Sequence, residues 1–212
     1  MSYEGITVQD LYTMVRLFCT FTHPFFLRGQ AGQELLDEHS RLVVAGSYFI
    51  IIEGSCDVVT EPILVNTPPF QGGIPSLRFR ESVRGRDGDC IISGIRSRGL
   101  AGNWGGFEVA HIFPLAYAGH WNAGNFGWGI EINHPQNGML MDSSIHRLFD
   151  NYEFSILTSD HNKIICFTPG ALDRGLAGRS LPLHLAYDPT GPTTEHLNWH
   201  FRQAVLLNVR ND

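Results

Sequence analysis

Asn137-Gly-Met-Leu-Met-Asp-Ser-Ser-Ile-His-Arg-Leu-Phe-Asp150 is the stretch whose reading decides the fold. The asparagine stands at the start of an apolar run, Met139 to Met141, that reads as a strand. Asp142 then sits where a helix N-terminus begins, and the segment to Asp150 reads as a short amphipathic helix carrying His146. Upstream, Phe107-Glu-Val-Ala-His-Ile-Phe-Pro114 is a second apolar, strand-like run that delivers His111. Two strands in a hairpin followed by a helix bring a strand histidine and a helix histidine together, so His111, Asn137 and His146 are the candidate site.

The chain is long enough, at 212 residues and 43% hydrophobic, for one sizeable domain or a small domain with an extension. A soluble globular protein is expected, cytoplasmic or nuclear and not secreted. Its apolar runs fall short of the roughly 18 to 20 residues of a membrane span, and no basic region precedes a hydrophobic one at the N-terminus. Cys19, Cys56, Cys90 and Cys166 are scattered without a paired CxxC, which suits reduced, mostly buried thiols. The oligomeric state is not legible.

Residues 1 to about 40 read as mostly helical. Thr7 is placed to cap a helix from Val8 to Phe18, and a second helix is possible from Gln30 to Glu38. Residues 41–65 read as a small meander rich in β-branched and aromatic side chains. The proline- and glycine-rich segment Asn66 to Pro75 reads as a linker, which divides the chain into an N-terminal helix and β-meander extension, 1–75, and a second domain, 76–212. Within the latter, a short helix is expected from Leu77 to Arg86, then a turn and buried strand from Asp87 to Gly94. A hairpin over Glu153 to Thr168, a short strand at Leu183 to Tyr187 and an amphipathic helix capped by Thr194 complete the chain. The fold class is α+β. Between Gly99 and Gly129 lie eight glycines and Trp104, Trp121 and Trp128, which predicts two long loops flanking the His111 strand, either substrate-binding walls or aromatic-anchored surface loops.

Net charge is −6, and this acidity weighs mildly against a nucleic-acid partner. The distribution is uneven. Arg78, Arg80, Arg84, Arg86, Arg96 and Arg98 stand against Glu81, Asp87 and Asp89, a local +3 that leaves −9 elsewhere. That strip is either a phosphate-binding edge or an ordinary ion-paired face.

Cutting a phosphodiester takes a base to deprotonate water and a divalent cation to neutralise the phosphorus centre and leaving oxygen. A strand histidine and a helix histidine can serve both needs, with asparagine fixing the base's tautomer or touching the metal. The blocks Phe79 to Val83, Arg86 to Gly94, Glu108 to Pro114, Asn137 to Met141, His146 to Asp150 and Leu197 to Val205 together resemble the HNH endonuclease family with its ββα-metal core, in the form widespread in fungal proteins. The resemblance implies a metal-dependent nuclease: His111 as general base, Asn137 as the orienting or metal-touching residue, and His146 as a metal ligand. The implied cofactor is a divalent ion, Mg²⁺-like or Zn²⁺.

Two departures accompany the match. Many relatives carry an acidic or histidine ligand immediately before the base, where this chain has Ala110; Asp150, or Asp142, one helical turn from His146, is the available replacement or else a cap. Positions that hold the family's structural zinc carry Ser93, Asp142 and Ile145, so that zinc is not expected. His196 and His200, four apart on the last helix, read as structural. Candidate substrate contacts are Arg84, Arg86, Trp104, Trp121 and Trp128, for nucleic acid as partner. The acidic charge and the tryptophans also suit another use of the scaffold, a cyclase, isomerase or lyase acting on a hydrophobic small molecule, as in fungal specialised metabolism. An inactive binding module is a third reading.

Overall fold

The computed structural model describes residues 2–36, 41–44, 46–65, 75–97, 104–122 and 129–210. It is a mixed α and β chain of small sheets and helices, in two compact units: Met1–Ile63 with Val205–Asp212, and Leu64–Ala204. Among the described residues, no helix is long and apolar enough to cross a membrane. Trp128 and nearly all of the 66–75 segment lie outside the described residues.

The first unit begins with β1 (Ser2–Thr7) and α1 (Val8–Phe18). Thr7 and Asp10 close a capping box, each side chain accepting from the other's backbone N–H at 3.1 and 2.8 Å. The helical period then buries Val8, Met14, Val15 and Phe18. Residues 19–35 depart from the sequence expectation. They are strands, β2 (Cys19–Phe21), β3 (Phe25–Gly29) and β4 (Glu34–Leu35), where a second helix was possible. Gly32, at φ +87°, closes the turn between β3 and β4, a conformation that a helix cannot contain. The later strands β5 (Leu42–Val44), β6 (Tyr48–Ile52) and β7 (Cys56–Val58) do not form a meander. Each pairs antiparallel with a partner from the first 30 residues: β5 with β1, β6 with β3 and β7 with β2. Strand propensity is visible in a sequence, whereas long-range partner choice is not.

The second unit opens with α2 (Leu77–Asp87), capped by Ser76, whose hydroxyl accepts from Phe79 N–H at 3.1 Å. Residues 91–93, expected as a strand, form a turn that buries Ile91 and Ile92. β8 (Phe107–His111) pairs antiparallel with β9 (Gly138–Asp142), opposing His111 to Gly138 and Ala110 to Met139. Short helical turns, including α3 (Ala118–His120) and one at 135–137, lie between these strands. The helix α4 (Ser143–Asp150) follows β9 directly, with Asp142 Oδ1 accepting from Ser144 N–H at 2.9 Å as its N-cap.

The two faces of this strand pair have different neighbours. Val109 and Leu140 pack on Phe79 and Val83 of α2, while Ala110, Met139 and Met141 pack on Ile145 and Phe149 of α4. The larger cluster continues into the hairpin β10 (Phe154–Leu157) and β11 (Lys163–Cys166), then into α5 (Pro169–Leu172) and α6 (Thr194–Asn208). His161 and Asn162, at φ 53° and 55°, make the left-handed turn of that hairpin. Residues 183–186 form a 3-10 turn instead of the expected strand. Thr193, one residue before the expected cap, starts α6 by accepting from His196 N–H at 3.3 Å.

His196 and His200 are buried by α6. His200 Nε2–H donates to the Phe149 carbonyl and its ring stacks on Phe149 at 3.7 Å, so Nδ1 accepts from the Ser155 hydroxyl. Burial is the main cause that pushes His196 down to about 4 and His200 to about 3; it also pushes His111 down to about 4. All three are neutral in the fold and bind protons on unfolding. Their contribution is therefore whole above the unfolded value of about 6.5 and is lost as pH falls toward 4. Urea unfolding at pH 7, 5.5 and 4.5 should show stability falling, with close to three protons taken up, or about 4 kcal/mol per pH unit near pH 5. A flat response over that range would contradict the assignment.

Candidate functional site

His111 ends β8 on the face that α2 covers. Its ring stacks on Phe79 with centroids 4.2 Å apart, and the residue is 9% exposed. Gly138, its cross-strand partner, permits this closeness: a Cβ there would stand 2.6 Å from the Phe79 ring and 2.9 Å from Val83. The Asn133 Oδ1 lies 3.1 Å from His111 Nε2, and because a carbonyl oxygen only accepts, Nε2 carries the hydrogen. Nδ1 is left with a lone pair. Burial lowers the ring to about 4; the Asn133 bond opposes this, positive charge on His146 adds to it, and Asp150 opposes it again. His111 is thus a neutral base at pH 7, within electrostatic reach of both His146 and Asp150.

His146 is in the opposite state. Burial alone would lower it, but Asp150 and Glu108 outweigh that and raise it. Its Nδ1 is 2.7 Å from Glu108 Oε2 and its Nε2 is 3.3 Å from Asp150 Oδ2. Period two in β8 puts Glu108 on the same face as Ala110, toward α4. The carboxylate missing at 110 therefore reappears one pleat earlier. Glu108 was legible through that alternation; Asn133, a loop residue, carried no signal.

Asn137 has a different task from the one expected of it. It is fully buried; its Oδ1 accepts from Phe113 N–H at 2.8 Å, and its Nδ2 donates to the carbonyls of Phe113 and Ile132 at 3.2 and 2.9 Å. Both ends of the amide serve the main chain. Orientation falls to Asn133.

Arg86 is likewise corrected, from substrate contact to clamp. Its side chain is 3% exposed, pairs in two places with Asp87, and donates to the carbonyls of Pro135, Gly138 and Thr190. Asp87 in turn accepts from Leu140 N–H at 2.8 Å. Trp121 is core, 5% exposed, against Phe113 and His196, with Nε1–H donating to the Ile130 carbonyl. Trp104 is half-buried on Phe79 and Val83, and Arg84 lies over its ring at 5.1 Å.

The donor set bears on the metal. Glu108 and Asp150 approach His146 from opposite ring edges, and among the described residues no three ligating side chains converge. A hard cation would fit only by taking the place of the His146 proton, with the ring and one carboxylate as its two protein donors and water and substrate oxygens completing the sphere, as Mg²⁺-type ions are commonly held.

Two substitutions test the framework. Arg86→Ala leaves the buried charge of Asp87 without its counter-charge and three carbonyls without this donor, and should destabilise by about 3 to 5 kcal/mol. Gly138→Ala should cost about 1 to 3 kcal/mol by displacing Phe79 and Val83. Urea denaturation measures both, and unchanged midpoints would show that neither contact matters to stability.

Residues 90–157, which span β8, β9, α4 and β10, match the profile of a family described as HNH endonuclease, and residues 1–57 match a domain of unknown function (DUF8573). No curated protein and no solved structure matches the chain. The matched residues 90–157 contain His111, Asn137 and His146, so it is this part of the chain that is similar to the HNH endonuclease family.

Proposed function

We propose that this protein hydrolyses phosphodiester bonds in nucleic acid, with His111 as the general base of a ββα-metal site. The observation that carries the reading is the state of His111: neutral at pH 7, held by Asn133 at Nε2 and stacked on Phe79, with its lone pair on Nδ1. In this reading Nδ1 takes the proton of the attacking water, and the rigid stack keeps that lone pair aimed. His146, between Glu108 and Asp150, is a place for positive charge beside the reacting phosphate. A divalent cation, Mg²⁺-like or Zn²⁺, would be held there by Asp150 and a neutral His146, its charge taking the place of the His146 proton, and would supply Lewis-acid neutralisation of charge on the phosphate oxygens. Asp150 and Glu108 orient the His146 ring.

The small-molecule reading receives less support. A cavity of about 400 Å³ that includes Asn133, the partner of His111, has a mixed lining, with Arg78, Glu131 and His134 beside Phe79 and Pro135, and its charged groups do not suit a wholly hydrophobic substrate.

Plasmid nicking with Mg²⁺ or Mn²⁺ present tests the role of the base. His111→Ala should lose about 10² to 10⁴ in rate; a loss below about tenfold would remove His111 from the chemistry. The pH profile gives an independent check. A base works when neutral, so a value lowered to about 4 moves the acid limb of kcat/KM down with it. Activity at pH 5.5 should stay within about twofold of that at pH 7.5, whereas a histidine at its ordinary 6.5 loses about tenfold there.

A further inference from the structure

We infer that Arg80 and Arg84, with Arg84 braced on Trp104, form a subsite for the phosphates of the bound nucleic-acid backbone; this rests on the nuclease reading above. The two arginines are one helical turn apart on α2, so their guanidinium groups share a face and repel each other. Each hides its Nε from solvent, and among the described residues neither Nε has a hydrogen-bond partner. Neither side chain makes an ion pair among the described residues, although Glu81 is adjacent in sequence. Two like charges one turn apart are favoured when something anionic joins the ends of their half-exposed guanidinium groups.

The setting favours phosphate over an acidic side chain of this protein. Arg84 lies over Trp104 at 5.1 Å, which fixes the plane of its guanidinium and leaves its outer edge for a bidentate contact. Burial and the charge of Arg80 lower Arg84 by more than the charge of Glu81 raises it. The subsite adjoins the chemistry through Phe79, which packs with Trp104 in one cluster and stacks on His111. Phosphates gripped by α2 would thus be continuous with the scissile one. The opposite side of α2, with Arg78 and Ser82, faces the polar cavity and is separate from this pair.

Binding measured apart from catalysis tests the idea. Anisotropy of a fluorescein-labelled 20-base-pair DNA duplex, in EDTA and at 50 to 200 mM KCl, gives the dependence of log Kd on log salt. Arg80→Gln with Arg84→Gln should reduce the slope by about 1.8, two phosphate contacts, so that the salt effect over this range shrinks by about tenfold. Arg80→Lys with Arg84→Lys keeps the charge and should restore the slope. Arg174→Gln, which removes an exposed arginine on another segment, should leave it unchanged. If the wild type binds and the double glutamine variant keeps the full slope, or if Arg174→Gln lowers it equally, the subsite is refuted while the nuclease reading stands. If the wild type binds no duplex at 50 mM KCl, both readings fail together. Inorganic phosphate at matched ionic strength marks the source: competition no stronger than that of KCl supports a backbone subsite, and stronger competition assigns the pair to free phosphate instead.

Discussion

The buried amide of Asn137 holds together the place where the two strands of the site diverge. Its side chain bonds the main chain of Phe113, just beyond β8, and of Ile132, before β9, while its own carbonyl accepts from Ile112 N–H. The long connection between the strands is thereby anchored at both ends by one side chain. Because these bonds are shielded from water, no solvent molecule can replace them at low cost. Everything nearby inherits this fixity: Gly138 comes immediately after, Phe79 fills the space its missing side chain leaves, and His111 lies flat on Phe79.

The two histidines of the site show how burial and neighbours separate identical groups. His111 meets a ring and a neutral amide, so desolvation decides and the ring loses its proton easily. His146 lies between two carboxylates, and their charge overrides the same desolvation. One imidazole is left able to accept a proton and the other able to carry positive charge, a division of labour set by which strand face each neighbour occupies.

Much of this was legible from residue patterns. The capping chemistry at Thr7, the apolar period of α1 and the strand, strand, helix order around His111 and His146 all follow from local rules that the structure obeys. The helix expected at 30–38 gives way over its described part because Gly32 turns the chain back so that Glu34 and Leu35 pair with β3, residues 37 and 38 lying outside the described residues. Side-chain roles were harder to read. Asn137 and Arg86 were noted for their chemistry, yet burial assigned both to the main chain, and burial depends on neighbours distant in sequence such as Ile132 and Thr190. Trp121 was misplaced for the same reason: an aromatic in a glycine-rich stretch can wall a pocket or fill a core, and composition does not distinguish the two.

The strand pairing of the first unit carries a consequence for how the chain reaches its native state. β3 and β6 are the inner pair, and β2 and β7 lie outside them in sequence, so the second pairing is enclosed around the first. Once β3 meets β6, the ends of β2 and β7 are already close, and most of the loop entropy for joining them has been spent. β1 and β5 do not share this advantage, because β5 precedes β6 and their pairing spans the whole of α1 through β4. Loop-closure entropy therefore favours the inner ladder before the outer one and gives the interleaved pair no such help.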